Sequence, residues 1–214
     1  MAHKFFKNFP EINYRLSDGK FVSIKDFFRK SKIEQKAVSS IVDSVQYEIQ
    51  DGERPDILAG KLYGDADLHW LFFLVNDIEN YYDWYKDSVV FEEYINKKYI
   101  GQYAIASSST DIVSSSSKFL LGEKVTSVSS EGRVILVEPI MNRICIEGGN
   151  FVANELITGS VSDKSFTPTS VIEQQDGIDH YKNSDGLKRN SSASGYTSVT
   201  HYEKEVSDND KKRN

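Results

Sequence analysis

Few residues in this 214-residue chain have the type and spacing that chemistry needs. Asp65 and Asp67 are two carboxylates two positions apart. On a helix that spacing points them to different sides, so they do not converge on one substrate atom as an acid–base pair. They suit a helix start, with Asp65 as the cap and Asp67 complementing the dipole. His69, beside Trp70, reads as a half-buried structural histidine rather than a metal ligand or pH sensor. The single cysteine, Cys145, stands between Ile144 and Ile146 in a strand pattern. If those isoleucines point inward, the thiol points the other way. No histidine adjoins it in sequence to take its proton, so it reads as inert packing. Glu92 and Glu93 read as a solvated helix face. Gly148-Gly149 lacks the other glycines and the helix of a phosphate loop, and reads as a hairpin turn. No nucleophile elbow or metal-ligand spacing occurs. The expectation is a chain without catalysis, cofactor or metal.

Composition narrows the remaining classes. The chain has 26 basic and 32 acidic residues, a formal charge of −6. Phosphate backbones attract net positive surfaces, so a general grip on nucleic acid is not expected. One cysteine cannot form an internal disulfide framework. No apolar run approaches the roughly 20 residues of a membrane helix, and the start Met1–Phe6 lacks the apolar stretch of a secretory signal. A soluble chain kept inside the cell that makes it is the default.

The elements follow from local pattern. Residues 1–105 hold both tryptophans and most of the tyrosine and phenylalanine. Residues 106–117 form a Ser-rich linker. Residues 118–175 alternate in polarity and are rich in Val, Ile and Gly. Residues 176–214 are polar and read as an extended or partly disordered arm. In the first zone, Ser23–Asp26 resembles a capping box before a short helix at Phe27–Arg29. Val45, Tyr47 and Ile49 alternate as in a half-buried strand. Pro55 opens a helix with an apolar stripe of Ile57, Leu58, Leu62 and Tyr63, and Gly64 ends it. A second helix follows, with Leu68, Trp70, Leu71 and Val75 completing the core. Phe91–Tyr99 is one amphipathic helix. In the third zone, strands are expected at Lys118–Val128, Arg133–Val137, Arg143–Ile146, Phe151–Ile157 and Ser170–Gln174, as in a small all-β barrel or sandwich. The fold class is α+β.

Between the helices lie Tyr81, Tyr82, Trp84 and Tyr85, four aromatics within five residues. A small core cannot absorb so many rings, so part of the run is expected at the surface, where Tyr and Trp anchor protein partners. Phe91 and Tyr94 on the next helix join them as candidate partner-binding residues.

The stretch Tyr47–Gly52, with Ile57-Leu58-Ala59, Tyr63-Gly64-Asp65, Leu68-His69-Trp70 and Asn76, resembles a LysM module, a helix pair between two strands. A wider set resembles the baseplate wedge protein 53 family of contractile-tailed bacteriophages. It comprises Arg54–Ala59, Leu62–Asp65, Leu68–Trp70, Leu74–Asp77 and Tyr82–Tyr85, with Asp26–Arg29 upstream and Val199–Glu203 and Asn209–Arg213 near the end. The resemblance implies a structural virion protein of the tail baseplate, assembled in the host cytoplasm and present in multiple copies around the tail axis. It implies contacts with other wedge proteins, namely the long helical wedge subunits and the sheath-initiating protein. The LysM resemblance implies an alternative, binding of N-acetylglucosamine polymers. That reading needs a shallow polar groove near Asp51–Arg54 and Asn76–Asn80, where this sequence has an Arg-Pro start and a Tyr-rich exit.

Overall fold

The computed structural model describes residues 5–26, 47–114 and 118–213. The chain divides into two compact units, residues 1–87 with 210–214, and residues 88–209. This division cuts across the compositional zones. The Ser-rich stretch and most of the polar C-terminal zone fall inside the second unit. The fold is mixed helix and sheet.

In the first unit, β1 (Glu11–Arg15) and β2 (Phe21–Lys25) form an antiparallel hairpin. Gly19 sits at its tip with φ 84°, a conformation glycine adopts freely. Ser23 is therefore a strand residue, not a helix cap, and its hydroxyl donates to Glu11. The expected helix at Phe27–Arg29 lies outside the described residues. The start of the strand expected around Val45 also lies outside them, and residues 47–50 form no strand.

Helix α1 (Pro55–Tyr63) starts and stops where its sequence dictates. Pro55 occupies the first turn, and Gly64 closes it at φ 72° with its N–H on the Gly60 carbonyl. The Asp65 carboxylate accepts from the Asp67 N–H, starting a 3-10 turn at Ala66–His69 that runs into α2 (Trp70–Val75). The core differs from expectation. Ile49, Leu58 and Trp84 are buried, with Tyr47, Phe72, Phe73, Ile78 and Tyr85 packed on them. Ile57, Leu62, Tyr63 and Val75 are exposed. The helices are short, and the downstream aromatics fill the space that a wider apolar stripe would have filled.

The second unit opens with α3 (Ser88–Lys98) and β3 (Gly101–Ile105). After the four-residue α4 (Ser109–Ile112) come β4 (Lys124–Thr126), β5 (Glu131–Glu138), β6 (Arg143–Glu147), β7 (Ile157–Gly159), β8 (Ser165–Phe166) and β9 (Ser170–Glu173). These strands form one open sheet in the order β8-β7-β4-β5-β6-β3-β9. The expected barrel is not formed. The upstream strand β3 inserts between β6 and β9, and the two ends of the sheet do not pair with each other. One face buries Ala104, Val134, Ile144, Ile146, Ile157 and neighbouring apolar groups. Strand alternation puts Tyr103, Arg143 and Cys145 on the other face.

Residues 176–213 also differ from the expected extended arm. They form β10 (Ile178–Lys182), β11 (Lys188–Arg189) and β12 (Thr197–Thr200), a second sheet in the order β11-β10-β12, followed by α5 (His201–Lys211). Polar contacts hold this segment. Glu205 on α5 is buried and accepts from Tyr94, Lys98 and Tyr99 at 2.7–3.0 Å. Asp179 accepts from Lys204 and pairs with His180 and His201, and the second nitrogen of His201 meets the Tyr103 hydroxyl at 3.1 Å.

Candidate partner-binding surface

A 3-10 turn, Tyr81–Asp83, carries the aromatic run. The Asn80 side chain caps it by accepting from the Tyr82 N–H. At the other end, the Lys86 ammonium donates to the Tyr82 carbonyl. Both ends of the turn are thus fixed by hydrogen bonds.

The four aromatics part company here. Trp84 is 9% exposed, and its indole N–H donates to the Glu53 carbonyl at 3.0 Å. Its ring lies 6.0 Å from Phe72 and 5.7 Å from Phe73. It packs in the core of the first unit. Tyr85 is half-buried. Its hydroxyl donates to Asp51 at 2.7 Å, and the Arg213 guanidinium lies over its ring. The Asp51 hydrogen bond, followed by burial, pushes the Tyr85 phenol pKa up. Tyr81 and Tyr82 are 52% and 78% exposed.

These rings form a ladder. Tyr63 stacks on Phe72 at 5.4 Å; Phe72 and Phe73 flank Trp84; Tyr81 meets Phe73 at 6.0 Å and Tyr82 at 6.1 Å. Trp84 is buried at the middle, while Tyr63 and the Tyr81–Tyr82 pair at the two ends face solvent. The exposed tyrosines are thus seated on a packed aromatic base, an arrangement typical of a rigid protein contact.

Phe91 and Tyr94 belong to the second unit. Phe91 is buried, with its ring 6.0 Å from Tyr202 and 6.4 Å from Tyr94. Tyr94 is half-buried with its hydroxyl on Glu205. Both pack against side chains of α5. Sequence reasoning missed Glu205, Asp179 and His201, because polar anchors leave no trace in hydrophobic periodicity. Glu138 and Arg143 flank a short Pro-Ile-Met-Asn turn and pair across it at 2.7 Å.

The residues weighed for chemistry are accounted for structurally. Asp65 caps a helix. His69 is half-buried, with Nδ1 3.0 Å from the Ala66 carbonyl. Cys145 is buried, and desolvation pushes its thiol up to about 12. Among the described residues, no group of three His, Cys, Asp or Glu side chains is placed to hold a metal ion, and no helix is long and apolar enough to cross a membrane.

The family model for base plate wedge protein 53 matches residues 4–114, just over half of the chain. The chain belongs to the base plate wedge protein 53 family. This is a family of structural proteins of the phage tail baseplate, so the chain is a baseplate and virion structural protein. The match covers the β1–β2 hairpin, the helix pair, the aromatic turn, α3 and β3. No individual curated protein matches the sequence. The helix pair and its Tyr-Gly-Asp corner are present, but the two flanking strands of a LysM module are not formed among the described residues.

Proposed function

We propose that this chain joins neighbouring wedge subunits of the tail baseplate by protein–protein contacts, with Tyr81 and Tyr82 as its anchors. The observation that carries this reading is the exposed Tyr81–Tyr82 pair on a turn capped at both ends and backed by the buried Trp84. Rigid, exposed tyrosines lose little conformational entropy on docking, and their rings bury a large area against a partner. The contacts are with other wedge proteins, the long helical subunits and the sheath-initiating protein. Several copies act around the tail axis after assembly in the host cytoplasm.

The rival reading, N-acetylglucosamine polymer binding, has less support. Its groove would use the Asp51–Arg54 loop. There Trp84 already occupies the Glu53 carbonyl, and Tyr85 the Asp51 carboxylate.

The test is the double variant Tyr81→Ala/Tyr82→Ala. It is expected to fold as the parent does and to be lost from assembled wedges when co-expressed with the other wedge proteins of the same phage. Normal incorporation refutes the assignment.

A further inference from the structure

Among the described residues, the hairpin β1–β2 is a two-stranded sheet with no third strand. Its register is regular over five residue pairs, from Glu11↔Lys25 to Arg15↔Phe21. The flanking bonds, Leu16 N–H to Lys20 carbonyl and Asp26 N–H to Pro10 carbonyl, show which positions bond across the hairpin. In an antiparallel ladder these alternate, so residues 10, 12, 14 and 16 pair inward with 26, 24, 22 and 20. The backbone groups of Glu11, Asn13 and Arg15 then point outward from β1. Among the described residues, no backbone group bonds to that edge.

The side chains divide in the same way. Ile12, Tyr14, Leu16, Val22 and Ile24 share one face. Tyr14, Leu16 and Val22 are more than two-fifths exposed. On the other face, Phe21 is exposed and the two polar β2 side chains are engaged. Ser23 donates to Glu11, and Lys25 pairs with Glu11 and donates to the Lys7 and Phe9 carbonyls. On β1, Asn13 and Arg15 make no side-chain hydrogen bond or ion pair among the described residues, and both are exposed. A two-stranded hairpin alone is marginal in water, and an edge free of bulges and proline is a template for another strand.

We propose that the edge of β1 seats an extended strand from a neighbouring baseplate subunit, which pairs with the outward groups of Glu11, Asn13 and Arg15. This rests on reading the chain as a wedge-joining subunit. The occupant is specified by chemistry. Only an extended backbone matches donors and acceptors repeating every second residue. Its apolar side chains extend the Ile12–Tyr14 face, and an acidic residue on its other face meets the unpaired Arg15 guanidinium.

The test is residue-resolved hydrogen exchange on the full chain, alone and in assembled baseplates. Alone, the Tyr14 and Val22 amides are protected while those of Asn13 and Arg15 exchange freely. In the baseplate, Asn13 and Arg15 slow by at least about tenfold. Free exchange in both states overturns the proposal. So does protection already present in the isolated chain, which would mean that the chain covers its own edge. The variant Asn13→Pro removes one outward N–H and no bond within the hairpin. It is expected to cut incorporation at least about tenfold, whereas Ser23→Pro on the opposite edge changes it less than about twofold. Equal incorporation of both variants also overturns the proposal. A chain present in the baseplate with an unchanged β1 edge refutes strand addition alone. A chain absent from the baseplate refutes the wedge-joining reading itself.

Discussion

Removing the Trp84 side chain separates what holds the first unit together from what it offers to partners. In Trp84→Ala the ring leaves a space between Phe72, Phe73 and Leu58, in a cluster whose buried members among the described residues are Ile49, Leu58 and Trp84 itself. Large-to-small changes of this kind cost about 3–5 kcal/mol. The indole bond to the Glu53 carbonyl adds about 1 kcal/mol. The total is a large fraction of the roughly 5–15 kcal/mol that holds a domain folded. Tyr82→Ala removes a ring that is mostly in water and stays within about 0.5 kcal/mol of the parent. Urea unfolding of the full chain, followed by tryptophan fluorescence, reads this contrast. Both tryptophans, Trp70 and Trp84, lie in the first unit, so the signal of the variant comes from Trp70 alone. The midpoint of Trp84→Ala is expected to fall steeply and that of Tyr82→Ala to stay put. A cost below about 1 kcal/mol for Trp84→Ala would refute the placement of this ring at the centre of the ladder.

Further outcomes concern the second unit. Glu205→Ala strands Lys98, Tyr94 and Tyr99 without their acceptor and is expected to cost about 2–4 kcal/mol, read as faster amide exchange along α5. Stability should fall on acidification in two stages. Burial holds His201 below its ordinary 6.5 despite the nearby Asp179, so the fold favours neutral imidazole, and stability drains away as pH drops below about 6.5. At Asp179 and Glu205, burial raises the pKa, but hydrogen bonds from His180 and Lys204, and from Lys98 and the two tyrosines, outweigh it. Both carboxyls therefore titrate low, and a second loss follows below about 4.5. Replacing His201 with Gln should remove the first stage in a thermal-unfolding series across pH. Finally, Cys145 should resist alkylation at pH 8 in the folded chain and react fully in denaturant.

Where local chemistry decided the outcome, the sequence was readable. Pro55, Gly64 and Asp65 each do one local job, and α1 and the turn after it begin and end as those residues require. The strands at Arg143–Glu147 and Ser170–Glu173, short β-branched runs, lie where the pattern puts them. Non-local pairing was harder to read. Ser23 and Asp26 have the types of a capping box, but the register with Glu11–Arg15 makes the segment a strand. β3 was hidden between an amphipathic helix and a Ser-rich stretch, yet it lies between β6 and β9 in the large sheet. The polar C-terminal zone was misread because Glu205 and Asp179 tie it down by hydrogen bonds rather than by apolar burial. The surplus of aromatics was legible, but not its division. Trp84 turns inward because its N–H finds the Glu53 carbonyl, and Tyr81 and Tyr82 are left outside.

The most direct test of the central claim is an electron cryo-microscopy map of the assembled baseplate that resolves side chains at the Asn80–Lys86 turn. The account predicts that the phenol rings of Tyr81 and Tyr82 are covered by another subunit. Both rings standing in solvent within the finished baseplate would contradict it.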